Sequence, residues 1–197
     1  MMRWALMLVL AVAMAAPADA RYSLRRSGEV VKVGNAGLRV QPDGDWNRLG
    51  TKVGRYAESW TLDGQSLNDL TFYAGIKNDK TLFREVDRRD RPLPRFRSDM
   101  LAPEIVQLFE NSYRVAAGTS LFSLGKVEPA VFAGSPGVRF TYSFTIQGEE
   151  VRRNGEAIGA VIGGRLYLIA FEAPAIHFFD RDIARARALM ASATIAS

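Results

Sequence analysis

The stretch EAPAIHFFDRD, residues 172–182, holds the only histidine in the 197-residue chain, His177, with Asp180 and Asp182 close behind it. On a helix, side chains three apart are neighbours, so Asp180 is placed to orient an imidazole general base. A base needs a nucleophile to activate, and none is marked by a motif. The strings nearest to a G-x-S-x-G elbow, AGTSLF and AGSPGV, do not match it, and Pro136 after Ser135 removes a backbone donor that an oxyanion site uses. His177 is therefore expected at a strand-to-helix junction, and no catalytic residue is assigned. One histidine and no cysteine do not make a zinc ligand set, so no metal site is assigned. Oxygen ligands for calcium stay open, without EF-hand spacing to support them. With neither a P-loop nor G-x-G-x-x-G, no cofactor is expected.

Carboxylates supply the other chemistry. Glu149 and Glu150 are adjacent, so on a strand they point to opposite faces, and a polar turn at QGEE is the expectation. Glu58, Glu156 and Glu172 lie in strand-like segments among apolar neighbours. An envelope hydrolase acting through them is one reading, and salt bridges to Arg139 or Arg153 account for them equally well. The densest charge is REVDRRDRPLPRFRS, residues 84–98, with six arginines against three acids. Pro92 and Pro94 bar a helix there and favour an extended surface loop. Arg88, Arg89, Arg91, Arg95 and Arg97 are the candidate contact for an anionic partner, either an acidic envelope protein or an anionic lipid surface. The competing reading pairs them with Asp87, Asp90 and Asp99.

Periodicity gives the elements that must position these groups. VRFTYSFTI, residues 138–146, alternates Val138, Phe140, Tyr142, Phe144 and Ile146 with polar residues, the pattern of a strand with one buried face. Two further strands are joined at Gly163-Gly164, which suits a tight primed hairpin. LYLIAF is apolar on both faces, which requires cover on both sides. One helix is expected in residues 98–118, capped by Ser98 or Asp99, with Pro103 early, a stripe of Ile105, Leu108, Phe109 and Tyr113, and Gly118 at its end. The second is DRDIARARALMASA, capped by Asp180 or Asp182, with Phe179, Ile183, Ala186 and Met190 inward and Arg181, Arg185 and Arg187 solvated. Shorter strands are expected in EVVKV, AGLRV, RYAESWTL, NDLTFYAGI and TLFREV. The glycines of NGEAIGAVIGG are read as turn or close-packing positions, and Trp46, Trp60, Phe72 and Tyr73 as core. The fold class is α+β.

The first twenty residues carry Arg3, an apolar run from Trp4 to Ala16, and the small-x-small pattern Ala18-Asp19-Ala20. This pattern predicts a signal peptide over residues 1–20, with cleavage expected between Ala20 and Arg21, and its apolar run is too short for a membrane span. Residues 21–197 are expected to form one domain with no transmembrane segment. The expected location is the periplasm, with secretion beyond it open. The net charge is +5, and the leader removes one residue of each sign, so the remaining chain keeps that value. An exported chain of this charge favours acidic partners weakly and makes nucleic acid an unsuitable one.

Trp46, the SWTLDG stretch from Ser59 to Gly64, and the order from Gly137 to Ala193 of amphipathic strand, hairpin, GRLYLIAFEAP, aromatic pair and closing helix resemble the PsbP-like superfamily. That superfamily includes an extrinsic protein of photosystem II and a Ran-binding transport factor. The resemblance implies an antiparallel sheet between helical layers, and a binding or accessory role in place of catalysis. The expectation is an exported, noncatalytic binding protein of the envelope with an unidentified partner, and the carboxylate hydrolase is the alternative.

Overall fold

The computed structural model describes residues 22–119, 121–146 and 148–196. The expected leader and its Ala20–Arg21 junction lie outside the described residues. The chain runs β1 (Tyr22–Arg25), β2 (Val31–Val33), β3 (Leu38–Val40), β4 (Trp46–Leu49), β5 (Ala57–Thr61), β6 (Asp69–Ile76), α1 (Ala102–Ala117), β7 (Phe122–Phe132), β8 (Ser135–Thr145), β9 (Arg152–Ile162), β10 (Arg165–Pro174), α2 (Phe178–Ala191) and β11 (Thr194–Ile195). Eight strands form one antiparallel sheet in the order β1-β4-β5-β6-β10-β9-β8-β7, while β11, β3 and β2 form a small second sheet. This is the layered α+β architecture that the PsbP-like resemblance implies.

Strand alternation sends successive side chains to opposite faces of the large sheet, and two apolar cores result. Tyr167, Ile169 and Phe171 of β10 pack with Ile183, Ala186 and Leu189 of α2 and with the small sheet. Leu166, Leu168 and Ala170 face the other way, against Ile105, Leu108 and Phe109 of α1. Helix α1 owes its place to that stripe. Phe109 is fully buried, with its ring centroid within 5.1–6.4 Å of the rings of Tyr73, Tyr113, Phe122, Phe140 and Tyr142. Truncating such a ring to alanine costs about 3–5 kcal/mol. Gly118 ends α1 in the left-handed region at φ 61°. Gly163 and Gly164 close the β9–β10 hairpin at φ 56° and 71°, the positive values a primed turn requires.

Several expectations need correction. TLFREV is not a strand: Leu82 is buried, and the Arg84 N–H bonds to the Val53 carbonyl, so the segment docks as an irregular arm. Neither Ser98 nor Asp99 caps α1, because Asp99 is engaged by Arg97. The helix starts after Leu101, whose N–H donates to the Glu104 side chain at 2.8 Å. Neither Asp180 nor Asp182 caps α2, because the chain turns sharply at His177 and the helix begins at Phe178. Arg181 and Arg187 are ion-paired, to Asp63 and Asp182 and to Glu156, so they are not simply solvated. Strand β7 has no counterpart in the expected elements. It is an edge strand carrying Lys126, Glu128 and Pro129, which protect its open side and erase the alternation.

Candidate binding site

His177 is exposed, with backbone angles φ 70° and ψ −56°, and the Phe178 N–H bonds to the Ile176 carbonyl across it. This is a γ-turn in its strained, positive-φ form. No hydrogen bond joins the imidazole to either aspartate. Asp180 is exposed, while Asp182 is buried and receives Asn68 and Arg181. The structure thus places His177 at the strand-to-helix junction and gives it none of the partners a general base uses.

The arginine arm is largely tied into the molecule. Its anchors are Leu93 and Phe96, both buried, and Phe96 exchanges backbone hydrogen bonds with residues 79 and 80. Phe96 is therefore core, not an exposed aromatic beside the arginines. Arg95 donates to the Asp79 carbonyl at 2.9 Å and reaches Glu85 at 3.3 Å. Arg97 meets Asp99 and Glu104 at 3.1 and 3.2 Å. Arg88 lies 3.4 Å from Glu85, and Arg91 lies 4.0 Å from Asp87. Asp90 takes no arginine and instead donates its N–H to Asp87. Among the described residues Arg89 has no ion pair. One face of the arm, through Phe83, Val86 and Leu93, walls a cavity.

That cavity, of about 1110 Å³, lies between the α1 face of the sheet, the last turn of α1, the arm, and the segments before β6 and β9. Its volume lies just above the range of about 300–1,000 Å³ for small-molecule sites. Most of its wall is apolar, and its floor is a polar island made by sheet register. Asp69 of β6 stands opposite Glu172 of β10, which stands opposite Gly155 of β9, which stands opposite Tyr142 of β8. A side chain at Gly155 would meet the Tyr142 ring at 2.1 Å. Without one, the ring lies across β9 and its hydroxyl donates to Glu172 Oε2 at 3.3 Å. Tyr113, from α1, donates to the same oxygen at 2.5 Å.

Asp69 is held by a relay from the next row of the sheet. The Thr71 hydroxyl donates to Asp69 Oδ1 at 2.5 Å and, its proton spent, accepts from Ser59 at 2.6 Å. Arg153, 6% exposed, approaches from β9 and donates Nη1 to the Ser66 carbonyl at 3.0 Å. It makes no ion pair with either acid, and its Nε is buried without a partner. Burial pushes the Asp69 carboxyl up to about 6, against the lowering pull of Thr71 and Arg153. Burial and then the neighbouring Asp69 charge push Glu172 up to about 7. Burial, and after it the Glu172 charge, raises Tyr73, Tyr113 and Tyr142 well above the ordinary phenol value, which keeps their hydroxyls as donors.

The three glutamates singled out in the sequence separate. Glu58 accepts from the Trp60 indole at 2.9 Å and meets Arg48 at 3.1 Å. Glu156, 1% exposed, is clamped by Arg139 and Arg187 at 2.9 and 2.6 Å. Trp60 and Ile158, on the same faces of their strands, belong to the α2 core, so Glu58 and Glu156 lie across the sheet from Glu172. Only Glu172 reaches the cavity, and its companion is Asp69, which the sequence reading passed over. A signal existed in DLTFYA, where Asp69, Thr71 and Tyr73 form a polar row opposite Leu70, Phe72 and Ala74. Glu149 lies in the expected turn before β9, at the cavity's edge.

No family model matches the sequence, and no curated protein matches it. Among solved structures the chain is similar to cyanobacterial PsbP (CyanoP) of Synechocystis, with TM-score 0.46 and 15% identity, over 86% of this chain and 98% of that one. It is similar also to the T6SS immunity protein TplEi of Pseudomonas aeruginosa, with TM-score 0.42 and 8% identity, over 86% of this chain and 50% of that one. A third likeness is to LpqN, involved in cell envelope biogenesis of Mycobacterium tuberculosis, with TM-score 0.38 and 10% identity, over 89% and 91% of the two chains. At these identities the likeness is one of fold alone.

Proposed function

We propose that this is an exported, noncatalytic binding protein of the cell envelope that holds a small, largely apolar ligand in the cavity between α1 and the sheet. The observation that carries this reading is the cavity itself, about 1110 Å³ with an apolar wall and a short polar floor. Apolar walls contribute affinity by removing ligand surface from water, and a few fixed polar groups orient the ligand. Export rests on the leader-like residues 1–20, and no helix among the described residues is long and apolar enough to cross a membrane.

A neutral apolar fluorophore such as N-phenylnaphthylamine tests the reading. It should bind saturably to the folded chain and lose that binding in Ala117→Trp, which fills the wall at the end of α1. Equal fluorescence from both proteins would overturn it. Fractionation of the native host tests the address, with the processed chain expected in the periplasm.

One observation favours a second reading, an acid–base hydrolase: two carboxyls meet in a cavity, and one holds its proton close to neutral pH. Turnover of envelope-derived glycans or esters that vanishes in Glu172→Gln would establish that reading in place of binding.

A further inference from the structure

We infer that the cavity takes an amphipathic amine, its ammonium group seated against Asp69 and Glu172 and its apolar body lying along the wall formed by the arm and the end of α1. This rests on the reading of the cavity as a binding site and names the ligand's chemistry.

The hydrogen bonds of the floor point to a donor. The Tyr113 and Tyr142 hydroxyls are spent on Glu172 Oε2, and the Thr71 hydroxyl on Asp69 Oδ1. Glu172 Oε1 accepts no hydrogen bond among the described residues, and Asp69, only 7% exposed, lines the cavity beside it with Thr71 and Ser59 as its side-chain donors. An ammonium has three donors and no acceptor, so it can serve the free Glu172 oxygen and the neighbouring Asp69 carboxyl together.

Charge points the same way. Two carboxyls face one guanidinium, and Arg153 spends Nη1 on Ser66 while its buried Nε is closed off from a ligand. With both acids ionised the floor holds one negative charge too many. In the free protein a proton meets that excess: burial raises both acids, and the Asp69 charge raises Glu172 further. A bound ammonium replaces the proton. The other charged groups around the cavity, Arg84, Asp87, Arg91 and Glu149, stand in its outer wall, two of each sign, and leave the excess at the floor unchanged.

The rings complete the seat. Phe83 contacts Tyr113 and Tyr73, with centroids 5.6 and 5.8 Å away, and Tyr142 lies 5.9 Å from Tyr113. These rings wall the seat with apolar surface, which keeps water from an ammonium held there and strengthens its attraction to the carboxyls.

The test displaces the fluorophore with three ligands of one chain length: dodecylamine, dodecanol and dodecanoate. At about pH 8 the amine should bind at least about tenfold more tightly than the alcohol. By about pH 5, where the acids regain their protons and the amine is still charged, that advantage should fall by about tenfold or more. Asp69→Asn with Glu172→Gln should abolish the preference for dodecylamine over dodecanol, read as the ratio of the two affinities. The wild-type pH profile carries the test should that pair of substitutions fail to fold. Equal binding of all three ligands would overturn the ammonium seat and leave the apolar cavity standing. Preference for dodecanoate, lost in Arg153→Gln, would make this an anion site instead. Failure of every ligand, with the fluorophore indifferent to Ala117→Trp, would overturn the cavity reading as well.

Discussion

Tyr142 and Gly155 stand opposite each other on β8 and β9, and the tyrosine ring occupies the space where a side chain at 155 would be. The gap is what lets a residue on one strand reach Glu172 two strands away. Gly155→Ala should displace the ring, break its bond to Glu172 and destabilise the chain by about 1–3 kcal/mol through overpacking. Denaturant midpoints measure this, and an unchanged midpoint would show that the ring does not need the gap.

The carboxyl pair makes stability depend on pH. Asp69 rises from 3.8 to about 6 and Glu172 from 4.5 to about 7 on folding, so between these limits the folded chain binds more protons than the unfolded one. Their contribution is complete below the unfolded values and is lost as pH rises through the folded ones. The melting temperature should therefore be higher at about pH 5 than at about pH 8, by at least about 2 °C for a chain of this size. Glu172→Gln should flatten the dependence, and a flat profile in the unaltered chain would contradict the burial of the pair.

Much of the fold is legible in the residues, and the site is not. Strands β8, β9 and β10 are long: β8 alternates, β10 is a continuous apolar run, and β9 and β10 meet at a glycine pair, so local pattern suffices to find them. Asp69 reads as one polar residue near the start of the expected strand NDLTFYAGI, because its significance comes from β10, more than a hundred residues later, through the pairing of Asp69 with Glu172. Nothing in a local window specifies that register. The arm misled for a related reason: its charges are conspicuous in sequence, while Leu93 and Phe96, which fix its position, are single residues without a period.

Within the arm, the five arginines should separate by partner. Arg95 bonds to the Asp79 carbonyl and to the half-buried Glu85, so Arg95→Gln should loosen the cavity wall and cost about 1 kcal/mol. Arg89, without an ion pair among the described residues, should change stability by less than about 0.5 kcal/mol when replaced by glutamine. If Arg88, Arg89 and Arg91 meet an anionic partner, their joint replacement should weaken binding to anionic vesicles or to an acidic protein, and added salt should weaken binding by the unaltered chain. Equal losses of melting temperature for Arg89→Gln and Arg95→Gln would show that the two share one structural role.

His177 carries a conformation that its side chain does not favour. Positive-φ γ-turn geometry at a residue with a Cβ costs on the order of 1–3 kcal/mol, and here no side-chain bond offsets it, since the exposed imidazole caps nothing. Glycine removes the Cβ clash and returns part of the gain as greater freedom of the unfolded chain. His177→Gly should therefore stabilise the protein by about 0.5–1 kcal/mol, raising its melting temperature by about 1–4 °C. His177→Ala keeps the Cβ and should gain nothing. Ile176 and Phe178 line the cavity and the imidazole does not, so fluorophore binding should be the same in both variants and in the unaltered chain. An alanine variant that keeps its fold and loses ligand binding or turnover would return the imidazole to the chemistry of the site.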